Sequence, residues 1–260
     1  MTRPRIAIPI PHGGDREYAE RAMPQYEEAV RLAGGEPIRV ELEQTPAEIL
    51  RQAERCDGVL LPGSRADIDP QKYGAARHPK TNAADPRRDA ADQLLLHHAY
   101  EKHKPVLAIC YGLQTLNVYR SGTLVQHIES QTNHSAGRTV PRAHTVEIDA
   151  GSKLAGIVKQ AKPPATLTVN SSHHQSAEVV GKGLRVVARS TDDGVIEALE
   201  GTQAEHFVLA VQWHPERSVH DSERDLAEPA RSIFDAFVAA AREKHKRAGE
   251  SQAASNSGLT

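Results

Sequence analysis

The most constraining feature of this sequence is an alternation, over its first ~120 residues, of short apolar segments with segments of helical spacing. The apolar segments are partly β-branched and too short for core helices, so they read as strands, at residues 5–10, 37–42, 56–61 and 106–109. Strands that alternate with helices pair in parallel. The pattern therefore predicts an α/β fold, a doubly wound, mostly parallel, flavodoxin-like sheet flanked by helices, with ligands at the carboxyl ends of its strands.

The second half of the chain has a different pattern. Short strand candidates separated by turns lie at residues 139–148, 166–169, 183–189, 195–199 and 208–211, which predicts a smaller β-rich addition. Residues 222–244 form an amphipathic helix pattern. The segment after it is polar and rich in small residues. We therefore predict a single domain over residues 1–245 and a disordered tail over residues 246–260.

Composition excludes several classes of partner. The chain has 260 residues, 38% of them apolar, which is enough for one sizeable core. Its net charge of -2 gives no general attraction to nucleic acid or to an anionic membrane. No apolar run approaches the ~20 residues of a membrane span, and no signal peptide is recognisable at the start. With only two cysteines, the chain is expected to be cytoplasmic.

Cys110 is the candidate nucleophile, because it follows the fourth predicted strand directly and precedes a helix. A sharp turn at this point needs small neighbours, and Ala108 and Gly112 meet that need. A helix N-terminus favours a thiolate, so we expect the Cys110 thiol to ionise more easily than an ordinary cysteine. The alternative is a buried structural cysteine, which is the simpler interpretation of Cys56 at the start of the third strand.

A cysteine nucleophile needs a base, and His214 has the best context among the fourteen histidines. It emerges at the end of the last predicted strand, and Glu216 lies two residues further on. In an extended segment both side chains point to the same side, so Glu216 can orient His214. The alternative is a Trp-His-Pro turn with a surface glutamate.

Other histidines raise the question of a metal. His127, His134, His144, His173 and His174 are clustered in the sequence, but their spacings match no standard zinc finger and no HExxH motif. We therefore expect no metal site, and the proposed chemistry needs no organic cofactor. Residues 64–88 form a long polar excursion without periodicity, which is expected to lie above the strand ends and cover a substrate.

Five motifs occur in order and resemble the class I glutamine amidotransferase-like hydrolases: PGSRADIDP, ICYGLQ, NSSHHQ, DGVIEALE and VQWHPE. The resemblance covers about residues 5–240. Within that superfamily the excursion, the RRD sequence that follows it and NSSHHQ most resemble the peptidase C26 group, which includes the gamma-glutamyl-gamma-aminobutyrate hydrolases. The resemblance implies hydrolysis of a small γ-glutamyl amine or peptide through a thioester.

The resemblance also implies roles for individual residues. Cys110, His214 and Glu216 match the catalytic positions, and the backbone N–H groups of Gly63 and Tyr111 match the oxyanion hole. The glutamyl end would be held by Gln114 and the segment that contains Ser171, Ser172 and His173. The chain departs from the family where Ser64 replaces the second glycine of Pro-Gly-Gly, where Ala108 replaces a common glycine, and where Tyr111 replaces an arginine after the nucleophile.

Two rival functions stay open. A glutaminase subunit that supplies ammonia to a synthase partner would use the same residues, although the long excursion favours the hydrolase. A catalytically silent binding domain of the same fold is the other rival. The sequence names neither the amine leaving group nor the oligomeric state, and it leaves a homodimer open. A small-molecule γ-glutamyl substrate is the expected partner, without nucleic acid or membrane.

Overall fold

The computed structural model describes residues 3–159 and 165–257, with side chains described up to residue 246. The strands of the described residues are β1 Arg5–Pro9, β2 Glu36–Val40, β3 Gly58–Leu61, β4 Val106–Ile109, β5 Leu124–Val125, β6 His144–Ile148, β7 Thr166–Val169, β8 Ser176–Ala177, β9 Leu184–Ser190, β10 Ile196–Gly201 and β11 Val208–Val211. The helices are α1 Arg16–Leu32, α2 Pro46–Glu54, α3 Pro86–Lys102, α4 Tyr111–Tyr119, α5 Lys153–Ile157 and α6 Arg224–Ser257.

One nine-stranded sheet organises the fold, in the order β2-β1-β3-β4-β11-β10-β9-β6-β7. The first five strands are parallel, as the alternation predicts. All residues of β3, β4 and β11 are buried, because helices cover both faces of this half. The parallel register places the ends of β4 and β11 side by side, with Ile109 opposite Val211. Cys110 and His214 therefore follow neighbouring strands at the same edge.

The β-rich second half extends this sheet. Strands β10, β9, β6 and β7 continue it in antiparallel pairs beyond β11. A separate two-stranded sheet of β5 and β8 lies beside it, and the sequence pattern did not predict those short strands. The mostly parallel α/β fold is thus confirmed, with the addition joined to the main sheet.

The final helix is longer than the amphipathic pattern at residues 222–244. The backbone of α6 continues as helix to Ser257. Alanine, lysine, glutamate and glutamine are good helix formers, and extending an existing helix avoids the cost of nucleation. Residues 258–260 of the predicted tail lie outside the described residues, and both the disordered tail from residue 246 and the domain boundary at residue 245 stay predictions. Within the described part of the chain, no helix is both long and apolar enough to cross a membrane.

Candidate active site

Cys110 occupies a strained turn between β4 and α4. Its backbone has φ 54° and ψ -107°, a left-handed conformation that is costly for a non-glycine residue. The Cys110 N–H donates to the Val211 carbonyl at 2.8 Å, which ties the turn to the end of β11. A Cβ on Gly112 would lie 2.3 Å from the Leu61 carbonyl oxygen, so only glycine lets α4 approach β3 this closely. The predicted need for a small residue after the nucleophile is confirmed.

The predicted easy ionisation of Cys110 is wrong for the resting site. Burial raises the pKa of the Cys110 thiol to about 12, an effect that the nearby Arg217 charge and the Tyr111 N–H reduce but do not overcome. A helix N-terminus stabilises a thiolate, but here the sulfur is almost entirely removed from water. Cys110 therefore rests as a neutral thiol, and as a nucleophile it would have to lose its proton during the attack.

His214 and Glu216 are brought together as predicted. His214 Nδ1 lies 2.7 Å from Glu216 Oε1, and both side chains are buried. Burial lowers the pKa of His214 to about 4, so its imidazole is neutral near pH 7. Burial alone would raise the pKa of Glu216, but the contact with His214 and the Arg217 charge hold that pKa below its ordinary value. The charged Glu216 therefore fixes Nδ1 as the protonated nitrogen and leaves Nε2 as the acceptor.

Gly63 lies beside both Cys110 and His214. A Cβ built on Gly63 would lie 2.9 Å from His214 Cε1 and 3.5 Å from Cys110 Cβ. The Nε2 atom of His214 is buried and has no hydrogen-bond partner among the described residues, so it is available to a proton. The arrangement thus places a neutral thiol, an imidazole acceptor and an orienting carboxylate around one backbone position, which suits acid–base-assisted nucleophilic attack.

The predicted oxyanion donors have different surroundings. The Tyr111 N–H is directed at the Cys110 sulfur, as expected for the first turn of α4. The Gly63 N–H donates instead to the Tyr26 hydroxyl at 3.0 Å. A substrate oxyanion at Gly63 must therefore compete with Tyr26 or displace it. The assignment of Gly63 and Tyr111 to an oxyanion hole stays a prediction.

Arg88, from the RRD sequence, holds the backbone just before Gly63 by a hydrogen bond. Its guanidinium is fully buried and donates to the Pro62 carbonyl at 2.6 Å and to the Pro11 carbonyl at 2.8 Å. It also pairs with Asp92 at 2.8 Å and lies 4.9 Å from the centre of the Tyr111 ring. Arg88 therefore links the loop before Gly63 to the residue after Cys110.

A pocket of about 180 Å³ opens beside Cys110 and is lined by the excursion on one side and by the NSSHHQ segment on the other. Its walls are joined by His174, whose Nε2 lies 3.1 Å from Asp67 Oδ1 and 3.2 Å from Asn82 Nδ2. The predicted excursion thus reaches the nucleophile. Lining residues on the excursion side are Ser64, Arg65, Ala66, Asp67 and Asn82.

The predicted substrate-binding residues separate into two groups. Gln114, Ser172 and His173 line the pocket. The Gln114 amide donates to the Gln175 carbonyl at 3.2 Å, so it also holds the NSSHHQ segment. Ser171 is fully buried and its hydroxyl donates to the His134 carbonyl at 2.7 Å, an internal contact. Whether any of these residues binds substrate stays a prediction.

Sequence reasoning missed three supporting residues. Asn170 accepts from the His214 N–H at 3.0 Å and donates to the His214 carbonyl at 2.8 Å, so it fixes the backbone of the base. Arg217 donates to Ser172 Oγ at 2.8 Å and places a positive charge near Cys110. Tyr26 lies on α1, far away in sequence. Asn170 is the first residue of the NSSHHQ motif and Arg217 directly follows VQWHPE, which was a usable signal, whereas nothing in the sequence marks Tyr26.

Comparison with known proteins identifies relatives over most of the chain. A family model described as Peptidase C26 matches residues 11–216. Gamma-glutamyl-gamma-aminobutyrate hydrolase PuuD of Escherichia coli K12 is 32% identical over 251 residues, which cover 92% of this chain and 94% of that protein. A Mycobacterium tuberculosis protein named as a candidate glutamine amidotransferase, Rv2859c, is 38% identical over 200 residues. That match covers 75% of this chain and 62% of the relative, so the chain spans less than two thirds of it.

Solved structures share the fold at low sequence identity. The glutaminase domain of Trypanosoma brucei CTPS, solved with bound acivicin, superposes with a TM-score of 0.61 at 19% identity. The superposition covers 92% of this chain and 94% of that domain. This likeness establishes the architecture alone.

Proposed function

The chain belongs to the peptidase C26 family, and from that premise we propose that it is a cysteine-dependent hydrolase of γ-glutamyl amide bonds. The observation that carries the proposal is the convergence at Gly63 of Cys110 with a buried histidine, His214, whose other nitrogen contacts Glu216 at 2.7 Å. The gamma-glutamyl-gamma-aminobutyrate hydrolase relative supports the choice of substrate bond.

In the proposed reaction the Cys110 sulfur attacks the γ-carbonyl carbon while His214 Nε2 takes the thiol proton. The carbonyl oxygen becomes an oxyanion, stabilised by the N–H groups of Tyr111 and Gly63. The C–N bond then breaks, and His214 returns its proton to the departing amine. A water molecule, deprotonated by His214, attacks the thioester carbonyl and releases glutamate and the free thiol. Glu216 stabilises the imidazolium in both half-reactions without changing its own protonation.

The charges around the pocket support a substrate with a free carboxylate. Arg217 contacts the pocket residue Ser172, and Arg138 lies near enough to Arg217 and Arg21 that burial and their charges lower the pKa of Arg138. Guanidinium groups recognise carboxylates through paired hydrogen bonds. The α-carboxylate of a glutamyl group would therefore be stabilised on this side of Cys110.

A glutaminase that supplies ammonia to a synthase is the second candidate, and one observation favours it. The Gly63 N–H is already bound to Tyr26, so the resting site is not ready to hold an oxyanion. Such a site could depend on a partner to rearrange it. A silent binding domain is less well supported, because nothing in binding alone requires a buried imidazole, paired with a carboxylate, beside a thiol.

The test is hydrolysis by the purified protein alone, with a panel of γ-glutamyl amines and L-glutamine as substrates and the Cys110→Ala variant as the control. The excursion lines the pocket, so a leaving group of several carbons can make contacts that glutamine lacks. With about 1 to 3 kcal/mol for each well-packed methylene, kcat/KM should favour the amide by ~10²-fold or more. Equal or faster hydrolysis of glutamine, increased by an added synthase, would support the glutaminase instead.

A further inference from the structure

Four buried side chains that take no part in the proton transfers of the proposed reaction converge beside the pocket. They are His134, His144, His173 and Glu197, and none is more than 7% exposed. One ligand atom from each lies within 4.8 Å of every other. The ring of His134 lies 4.6 Å from that of His144 and 4.9 Å from that of His173, measured between centres. They come from a loop before β6, the start of β6, the segment after β7, and β10, so only the fold assembles them.

Glu197 is the centre of this four-residue cluster. Its Oε1 lies 3.2 Å from His134 Nδ1, 3.4 Å from His173 Nε2 and 3.5 Å from His144 Nε2. Two ligands of a tetrahedral zinc ion, each bound at ~2.0–2.1 Å, are separated by about 3.3–3.4 Å. The separations between Glu197 and the imidazoles already match that geometry. Imidazole nitrogens as much as 4.8 Å apart would need ring movements of about 1 Å to bind one ion.

The polar atoms of the four-residue cluster that face its centre are also short of hydrogen bonds. Among the described residues, no hydrogen bond of good geometry is made by the carboxylate oxygens of Glu197, the ring nitrogens of His144, Nδ1 of His134 or Nε2 of His173. Their contacts with one another are ion-pair distances to Glu197 Oε1. Buried polar atoms are normally hydrogen-bonded, and an unpaired buried group costs stability. A single cation at the centre would satisfy all four residues at once.

Hydrogen bonds on the side away from the centre orient two of the histidines for binding a cation. His134 Nε2 lies 2.9 Å from Asp193 Oδ2, and His173 Nδ1 lies 3.0 Å from the Gln175 carbonyl oxygen. Each outer nitrogen must be the one that carries hydrogen, because its partner only accepts. In a neutral ring the inner nitrogen then presents a lone pair to the centre. Burial alone would lower the pKa of His134, but its contacts with Glu197 and Asp193 raise that pKa, so a bound zinc ion would displace the proton from the inner nitrogen. Metal-binding histidines are oriented in this way by carboxylates and carbonyls.

We propose that His134, His144, His173 and Glu197 form a structural zinc site. Three imidazoles and one carboxylate are ligands that Zn²⁺ binds readily, and four protein ligands leave no position for a reacting water. The ion would join the 130–137 loop and the NSSHHQ segment to β6 and β10. Because His173 and Ser172 line the Cys110 pocket, the zinc would hold one wall of that pocket in place. This proposal does not depend on the substrate.

The test uses the full chain, treated with a chelator and then titrated with Co²⁺ and Zn²⁺ in separate experiments. The wild type should bind one Co²⁺ per chain with the strong visible absorption of tetrahedral cobalt, and Zn²⁺ should displace it and raise Tm. Asp193→Asn, which removes only an outer carboxylate charge, should weaken binding by ~10- to 100-fold, and Glu197→Gln by at least as much. His127→Gln is the control, because His127 is a nearby histidine outside the four-residue cluster and should bind like the wild type.

The wild-type titration decides the matter even if Glu197→Gln does not fold, which circular dichroism would reveal. Less than about one tenth of an equivalent of bound Co²⁺, or absorption typical of octahedral cobalt, would overturn the proposal. So would unchanged binding by a folded Glu197→Gln variant. The cluster would then be a metal-free network of ion pairs between Glu197 and protonated histidine.

Discussion

Replacing Gly63 with alanine should impair catalysis while leaving the fold in place. The new methyl group would lie 2.9 Å from His214 Cε1 and 3.1 Å from the Tyr26 hydroxyl, where ordinary contacts begin at 3.4 Å. The His214 ring cannot move freely, because its Nδ1 is bound to Glu216. The loop or the ring must therefore shift by about 0.5 Å. Since a misplacement of 1 Å can cost ~10²-fold in rate, we expect kcat/KM to fall by ~10- to 100-fold.

The assay is steady-state hydrolysis of a γ-glutamyl amide, with thermal unfolding measured in parallel. Overpacking costs about 1 to 3 kcal/mol, which a domain of ordinary stability tolerates. Gly156→Ala is the matched control, because a Cβ there meets no atom within 4 Å and alanine favours helix α5. A Gly63→Ala variant within twofold of wild-type kcat/KM would refute the claim that a side chain at residue 63 displaces Cys110 or His214.

Two further predictions concern the reacting groups. Because burial raises the pKa of Cys110 to about 12, its alkylation by iodoacetamide in a Cys56→Ala background should rise about tenfold per unit between pH 7 and 10, as the thiolate fraction increases. Peptide mass spectrometry measures this, and a rate that levels off below pH 8 would indicate a preformed thiolate. His214→Ala should lower kcat more than Glu216→Gln, because in the proposed reaction His214 transfers protons in both half-reactions and Glu216 only orients it. A Glu216→Gln variant as active as the wild type would remove Glu216 from the mechanism.

How much of the candidate site the sequence predicts depends on how local each contact is. His214 and Glu216 are two residues apart, so their pairing follows from the direction of an extended chain. The sharp turn at Cys110 follows from a strand, a cysteine and a helix in succession, with small residues two positions before and after the cysteine. The link from Tyr26 to Gly63 joins residues 37 positions apart, and no local pattern specifies it.

The sequence by itself determined the alternation of strands and helices and the parallel half of the sheet, because both depend on short-range periodicity. It also determined the edge of the sheet at which Cys110 and His214 lie, because parallel strands have their carboxyl ends at the same edge. Only the tertiary structure decided the electrostatics. The same helix N-terminus that predicts an acidic thiol is buried so deeply that desolvation outweighs it and the pKa rises. The histidine cluster shows the same limit, because its members match no sequence spacing. The sheet places β10 and β6 on either side of β9, and two loops add their histidines, so three imidazoles surround one carboxylate through strand order and loop position, which no local pattern specifies.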